Sequence, residues 1–573
     1  MEKITSDVIV VGSGLAGLRA AIEIAKESNE SVHIVLISKV QVMRSHSVAP
    51  EGGAAAVMMD GDSFDRHSND TIIGGDYLND QDAVEEFVRE APNEIIQLEH
   101  WGMPWYRDEE GRPVTRIFGA HTYARTFFAY DRTGFFLMKT LYDTLLKYKN
   151  VEIYQETFAI DIINIDGKFQ GLLAFERLKG NTLLFTAKAM IIATGGVGRM
   201  YPYCTYSHTV TGDGLAMAYR SGVRLRDMEF LQWLPTTLVP QGIPATEALR
   251  GHGAIMINKD GERFMKNYAP ERMEMAARDI VTRAMYKEVI EGRGVDGPRS
   301  IKCVLLDSRP VGKEKLETIY KTFVENAIKF QGIDPLEEPV PVFPAFHYSM
   351  GGIDIVDPLR TNTNVQGIFS AGEAANEGLH GANRLGSNSL SSCLVTGKWA
   401  GRSAIAYIKQ VMDNNEKDSV TERAGELENN FYKLVKNEHG DSNVYDVRKK
   451  MQKNMETNVG VFRNEGSLNL AATAIRELGD EIKNITVNDK SATYNLEWIN
   501  VQEVKNMLDL ALVIVNSAKF RKESRGSHFR TDYPQRDDKN FLVHSLAQFK
   551  NNTADISKRP VKITKWKPEE RKY

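Results

Sequence analysis

The segment from Ser6 to Gly17 constrains the fold more than any other part of the chain. Residues 6 to 12, with the apolar run Val8-Ile9-Val10-Val11, read as a buried parallel strand, residues 16 to 26 as a helix, and residues 31 to 38 as a second strand. Gly12-Ser13-Gly14-Leu15-Ala16-Gly17 sits where the first strand turns into the helix, which is the context a GxGxxG pattern needs. Gly12 permits the tight turn, Gly14 lets backbone approach a pyrophosphate, and Gly17 lets helix and strand pack closely. The helix N-terminus, with Ala16 in its first turn, favours the phosphate charge. The reading is a βαβ dinucleotide-binding unit.

The second strand ends in Ser38-Lys39, where a nicotinamide dinucleotide site would place an acidic residue for the ribose. Further glycine-rich segments close strands far downstream, at Ala193-Thr194-Gly195 and at Ser370-Ala371-Gly372-Glu373. Glu373 is a candidate ribose acceptor. Contacts scattered so widely suit FAD, which lies extended through its domain. Strand patterns at 151 to 165 and 170 to 186, interleaved with helices, point to an α/β sheet with helices packed on it.

From 227 to 346 the pattern changes to Gly- and Pro-containing loops followed by helices such as 274 to 291, and from 415 to 520 the chain is charged, amphipathic and mostly helical. The expected architecture is a Rossmann-like FAD-binding domain (1–226 and 347–410), an inserted α+β capping domain (227–346), a helical domain (411–530) and a C-terminal arm (531–573).

A chain of 573 residues is long enough for several such units. Its net charge of -4 gives no reason to propose a nucleic-acid partner. Cys204, Cys303 and Cys393 are too far apart for a metal centre or an iron-sulfur cluster, so any cluster must come from a partner. The N-terminus runs at once into a strand without a signal-like segment, and no apolar run reaches the roughly 18 residues of a membrane span. A cytoplasmic location is expected, with any membrane attachment through other subunits.

Arg44-Ser45-His46-Ser47-Val48-Ala49-Pro50-Glu51-Gly52-Gly53 follows the second strand and resembles the covalent-flavin segment of the succinate dehydrogenase and fumarate reductase flavoproteins. The resemblance runs almost end to end, through residues 63–88, 125–134, 211–230 and 346–353, Gly378-Leu379-His380-Gly381-Ala382-Asn383-Arg384-Leu385-Gly386-Ser387-Asn388-Ser389-Leu390, and residues 523–538. It implies FAD attached to His46, with Ser47, Gly52, Gly53, Asp213, Ser389 and Leu390 added to the cofactor-binding set. It also implies succinate and fumarate as substrates, an iron-sulfur subunit as electron partner, and a peripheral place on the inner face of the cell membrane through anchor subunits. Arg278 corresponds to the proton-transferring arginine, with Glu247 and Arg250 as its shuttle. His347, Arg384 and Thr246 correspond to the carboxylate-binding residues.

Two departures stand out. The family usually reads QxHPT where this chain has Gln232-Trp233-Leu234-Pro235-Thr236, so Leu234 replaces a substrate-binding histidine. The family's CRGEGG becomes Leu249-Arg250-Gly251-His252-Gly253-Ala254. His252 either restores a donor, alters the shuttle, or is a change outside the site. Two rivals stay open on the sequence: an L-aspartate oxidase, which shares the fold and the 378–390 type of segment, and a catalytically silent electron-transfer or assembly subunit.

Overall fold

The structure, a computed structural model, describes residues 1–411, 418–437, 440–550 and 553–571. Within the expected helical domain, 412–417 and 438–439 lie outside the described residues, as do 551–552 and 572–573 of the expected arm.

The βαβ unit forms as expected. Val8–Val11 and Ile34–Ile37 pair in parallel around the helix Leu15–Glu27. These strands are fully buried, as apolar runs covered on both faces should be. They are the centre of a five-stranded parallel sheet in the order Ile368–Ser370, Ala189–Ile192, Val8–Val11, Ile34–Ile37, Val151–Tyr154.

Each of the next two strand patterns divides. The stretch 151–165 yields Val151–Tyr154, in the parallel sheet, and Thr157–Ile165, in a separate four-stranded sheet; Glu156, at φ 54°, turns the chain between them. The stretch 170–186 becomes the hairpin Lys168–Glu176 and Asn181–Thr186, turned at Gly180 with φ 74°. Alternation along the chain does not reveal such breaks, because both halves keep apolar residues.

The capping lobe is built on a mainly antiparallel sheet ordered Ile243–Pro244, Leu231–Leu238, Val340–Ser349, Lys302–Asp307, Ile255–Ile257, with the helix Arg278–Ile290 against it. Its apolar core includes Leu249, Met256, Met285, Leu306 and Val342. The strand Val340–Ser349 carries His347 back toward the parallel sheet.

Four long helices follow, Asp418–Val435, Val444–Asn458, Glu465–Glu481 and Leu496–Phe520. They share a buried cluster with the four-stranded sheet. The arm then returns as the hairpin Val543–Lys550 and Thr553–Pro560, which extends a core sheet through Leu225–Arg226. Among the described residues no helix is long and apolar enough to cross a membrane.

Residues 523–538 lock the lobes together. Arg525 Nη1 donates to Asp76 O at 2.9 Å, Gly526 N donates to Asp76 Oδ2 at 2.8 Å, and Ser527 N donates to Ala382 O at 3.0 Å. Arg283, on the cap helix, donates to Gly526 O at 2.8 Å. One segment thus fixes the cap helix relative to the loop that carries Arg384.

Candidate active site

A long trough runs over the C-terminal edge of the parallel sheet. Gly12, Gly14, Ala16, Ser38, Lys39, Ala193, Thr194, Gly195 and Asp213 line it, with His46, Ser47 and Glu373. Its chemistry fits an extended dinucleotide. The helix Leu15–Glu27 starts from Gly14 without a side-chain cap from that residue, so its N-terminal end favours an anion, with Leu15 N donating to Ser47 Oγ at 3.3 Å. Gly12 has φ 109°, and a Cβ there would meet Ala193 O at 2.2 Å. Gly17 does not line the trough; a Cβ on it would lie 1.8 Å from Gly12 O, so it serves the close packing of helix on turn. The Thr194 hydroxyl, inside the trough, is buried without a hydrogen-bond partner.

Lys39 and Asp213 border the trough mainly by satisfying each other. Lys39 Nζ donates to Asp213 Oδ2 at 2.8 Å and pairs with Glu503 at 2.5 Å. Burial alone would lower the ammonium's proton affinity, but these two carboxylates outweigh it and raise it. Ser38 Oγ lies 2.6 Å from Ser13 Oγ.

A second cavity adjoins the first, and His46, Ser47, Glu373 and Cys393 line both. Gly52, Gly53, Ser389 and Leu390 lie on the second cavity, together with Thr246, Glu247, Arg278, His347 and Arg384. Cap and core therefore contribute opposite walls to one chamber at the end of the trough.

His46 stands at that junction. Its ring lies 4.8 Å from that of Tyr206, and its Nδ1 accepts from Ser207 N at 3.4 Å. Burial pulls its pKa down to about 4, so the imidazole is neutral with Nε2 uncommitted. Glu373 accepts from Tyr206 OH and from Ser349 N, the latter at 3.0 Å. Its carboxylate thus sits on the His46 side of the trough, while Ser38 holds the turn near Ser13. Burial pushes Glu373 up to about 7.

On the cap side, Arg278 opens its helix with Ala277 as N-cap. Arg278 Nε and Nη2 donate to Glu247 Oε2 at 3.1 and 2.8 Å, and Nη1 donates to Gln232 Oε1 at 2.7 Å. Arg250 Nη2 donates to Glu247 Oε1 at 2.5 Å and Nη1 to Glu274 O at 2.6 Å. Burial would raise the Glu247 carboxyl, but Arg278 and Arg250 hold it down at about 2. Arg250 itself does not face the chamber; it stands behind Glu247, whose carboxylate bridges the two guanidinium groups.

Arg384 is arranged differently. It is buried, packs over Tyr348 at 4.1 Å, forms no ion pair among the described residues, and has an unpartnered Nε. Burial, reinforced by nearby Arg278, lowers its pKa to about 10. A buried guanidinium in this state is a ready anion anchor. His347 Nδ1 lies 2.8 Å from Thr205 Oγ1, and burial with Arg278 and Arg384 nearby keeps the ring neutral. That contact occupies Nδ1 and leaves Nε2 for the chamber. Thr246 Oγ1 is also buried without a partner.

His252 neither restores a donor nor joins the shuttle. Its Nδ1 lies 2.7 Å from Tyr320 OH, and it does not line the chamber, so it is a change outside the site. Leu234 does line the chamber, buried where the family places a histidine.

Sequence reasoning missed three neighbours. Gln232 donates through Nε2 to Asn383 Oδ1 and Arg384 O, both at 2.8 Å, while accepting from Arg278, so it ties the two key arginines together. It stands two residues before Leu234 on the same strand, but no local pattern announces its reach to Arg278 and Arg384. Phe118 lines the chamber with nothing in its local sequence to announce it. Glu51 also lines it, and burial followed by Asp131 pushes its pKa up to about 8.

Comparison with known proteins agrees with this arrangement. Residues 7–390 match the FAD binding domain family, and residues 448–573 match the fumarate reductase flavoprotein C-terminal family. The chain is 42% identical to the fumarate reductase flavoprotein subunit of Haemophilus influenzae, over 100% of this chain and 97% of that protein. It is also 42% identical to the succinate dehydrogenase flavoprotein subunit of Rickettsia bellii, over 94% of this chain and 92% of that one. A solved chain of Escherichia coli quinol fumarate reductase superposes with a TM-score of 0.96 at 40% identity, covering 100% of this chain and 99% of that chain.

Proposed function

Because the chain belongs to the family of fumarate reductase and succinate dehydrogenase flavoprotein subunits, we propose that it interconverts succinate and fumarate in the chamber between cap and core. The observation that carries this reading is the meeting of the dinucleotide trough with a chamber holding one unpaired guanidinium and one Arg–Glu–Arg chain.

FAD in the trough supplies hydride transfer to or from a substrate carbon when bound. Arg384 and His347 Nε2 hold one carboxylate, and Thr246 Oγ1 donates toward the other end. Arg278 delivers or takes the proton at the adjacent carbon. A guanidinium gives up a proton only when other cations lower its affinity. Here Arg250 and Arg384 are both close enough for Arg278 to depress their own proton affinities. Glu247, ionised and bonded to both arginines, passes the proton between Arg278 and Arg250. The same path runs in either direction.

His46 Nε2 is the atom we assign to a covalent flavin link, since Nδ1 keeps its role as acceptor from Ser207 N after such a bond forms. Ser47, Gly52, Gly53, Ser389 and Leu390 would line the flavin at that end, and Gly12, Gly14, Ala16, Ser38 and Thr194 the rest. Electrons would leave through an iron-sulfur subunit. Among the described residues no cluster of metal-ligating side chains exists. Attachment to the inner face of the membrane would come through further subunits.

The test is steady-state reduction of fumarate by the flavin-loaded chain with a reduced viologen dye as donor. Succinate formed in step with dye oxidation supports the reading; dye oxidation that does not depend on fumarate refutes it.

A further inference from the structure

The chamber is electrically lopsided. Arg384 is the one chamber guanidinium that forms no ion pair among the described residues, whereas Arg278 is paired with Glu247 and also donates to Gln232. The other end is made of different material. Leu234 lies two residues after Gln232 on the strand Leu231–Leu238 and lines the chamber. Hairpin pairing of Thr237 with Pro244, continued by Ala245 N donating to Thr236 O at 3.0 Å, brings the Thr246 segment alongside. Leu234, Pro244 and Phe118 present carbon to the chamber, and the Thr246 hydroxyl, next to Glu247, lines it without a hydrogen-bond partner. A hydroxyl both donates and accepts, so it serves a neutral carbonyl, amide or ester as readily as a carboxylate. The two raised acids on the chamber, Glu51 and Glu373, add no cation to that end.

We propose that the pocket built by Leu234 and Thr246 does not require a charged group, so that the enzyme takes trans-enoates bearing one carboxylate and a neutral second carbonyl group, alongside the C4 dicarboxylate. This rests on the proposed succinate and fumarate chemistry and extends its substrate class. The anchored carboxylate sits on Arg384. The C=C bond accepts one hydride from reduced flavin and one proton through Arg278, and oxidised flavin is left. Leu234 is the residue that sets this tolerance.

Fumaramate, the monoamide of fumarate, is the probe, because it keeps the shape and replaces one carboxylate with a neutral amide. A histidine donor bonded to the carboxylate would separate the two compounds by roughly 10- to 150-fold. The wild-type holoprotein is expected to use both within about tenfold in kcat/KM for reoxidation of its reduced flavin. Leu234→His should raise the fumarate to fumaramate ratio at least fivefold, and comparing the two proteins cancels the intrinsic reactivity of the compounds. Calorimetric Kd values for succinate and succinamate on the oxidised holoprotein give a second readout, again expected within about tenfold in the wild type, and Leu234→Lys serves if the histidine variant does not fold. Leu234→Lys, which adds a donor with no acceptor, should shift the ratio toward fumarate in the same direction. A wild-type separation beyond tenfold, or a ratio that the variants leave unchanged, overturns the proposal while leaving the fumarate reading intact. Failure of fumarate itself to reoxidise the flavin overturns both.

Discussion

If Arg278 carries the proton as proposed, Arg278→Lys should separate proton delivery from substrate binding. In the wild type the guanidinium makes three hydrogen bonds, two to Glu247 Oε2 at 3.1 and 2.8 Å and one to Gln232 Oε1 at 2.7 Å. A lysine ammonium is a compact point charge on a flexible stem and cannot span both partners with the planar fork. It keeps one contact with Glu247, so the carboxylate stays paired, and the two lost hydrogen bonds cost about 3–6 kcal/mol of stability. The kinetic effect is larger. Loss of a positioned proton donor lowers kcat by about 10²–10⁴, which corresponds to roughly 3–5.5 kcal/mol on the barrier. KM should change little, because Arg384, His347 and Thr246 are untouched, and an interaction used only in the transition state shows in kcat. The assay is steady-state fumarate reduction with a viologen donor, beside a titration of the oxidised flavin spectrum with succinate. A fall in kcat of less than tenfold, or a KM rising as steeply as kcat falls, would refute the relay.

Three further outcomes follow from the same geometry. His46→Ser should leave FAD bound but release it into the supernatant on acid denaturation; flavin fluorescence remaining on the denatured polypeptide sinks the tether assignment. Gly17→Ala places a methyl 1.8 Å from Gly12 O, and should abolish FAD retention while the cap folds, which absorbance of the purified protein reads directly; full flavin content would contradict the packing argument. Glu373, pushed up to about 7 in the folded protein, ionises near 4.3 when unfolded. The folded state therefore holds the extra proton between those values, and stability falls as pH rises from about 4.5 to about 7. Glu373→Gln should flatten that part of the apoprotein's Tm against pH curve, and an unchanged slope would place the titration elsewhere.

The sequence was most legible where function depends on local backbone. The turn from Gly12 to Gly17 needs glycine for close approach, so its chemistry is written in adjacent residues and the βαβ unit follows. The 378–390 segment marked Arg384 only through its resemblance to the family. Long-range pairings were harder to read. Gln232 joins Arg278 to the loop of Asn383 and Arg384 across about 150 positions, and no local pattern encodes that contact. His252 looked like a possible replacement donor by position, yet Tyr320, on another part of the cap, claims its Nδ1. The arm was legible only as a tail; its hairpin adds to a core sheet through Leu225 and Arg226, more than 300 residues earlier. The raised acids Glu51 and Glu373 look ordinary in sequence, because burial from surrounding elements shifts them.

The central claim is that the chamber exchanges a hydride and a proton with an unsubstituted C4 dicarboxylate. The most direct measurement is anaerobic mixing of the oxidised, flavin-loaded chain with succinate, followed by flavin absorbance and product analysis. The account predicts bleaching of the flavin with one fumarate formed per flavin reduced, and loss of that bleaching in Arg278→Lys. A flavin that L-aspartate bleaches while succinate leaves it oxidised would contradict the account.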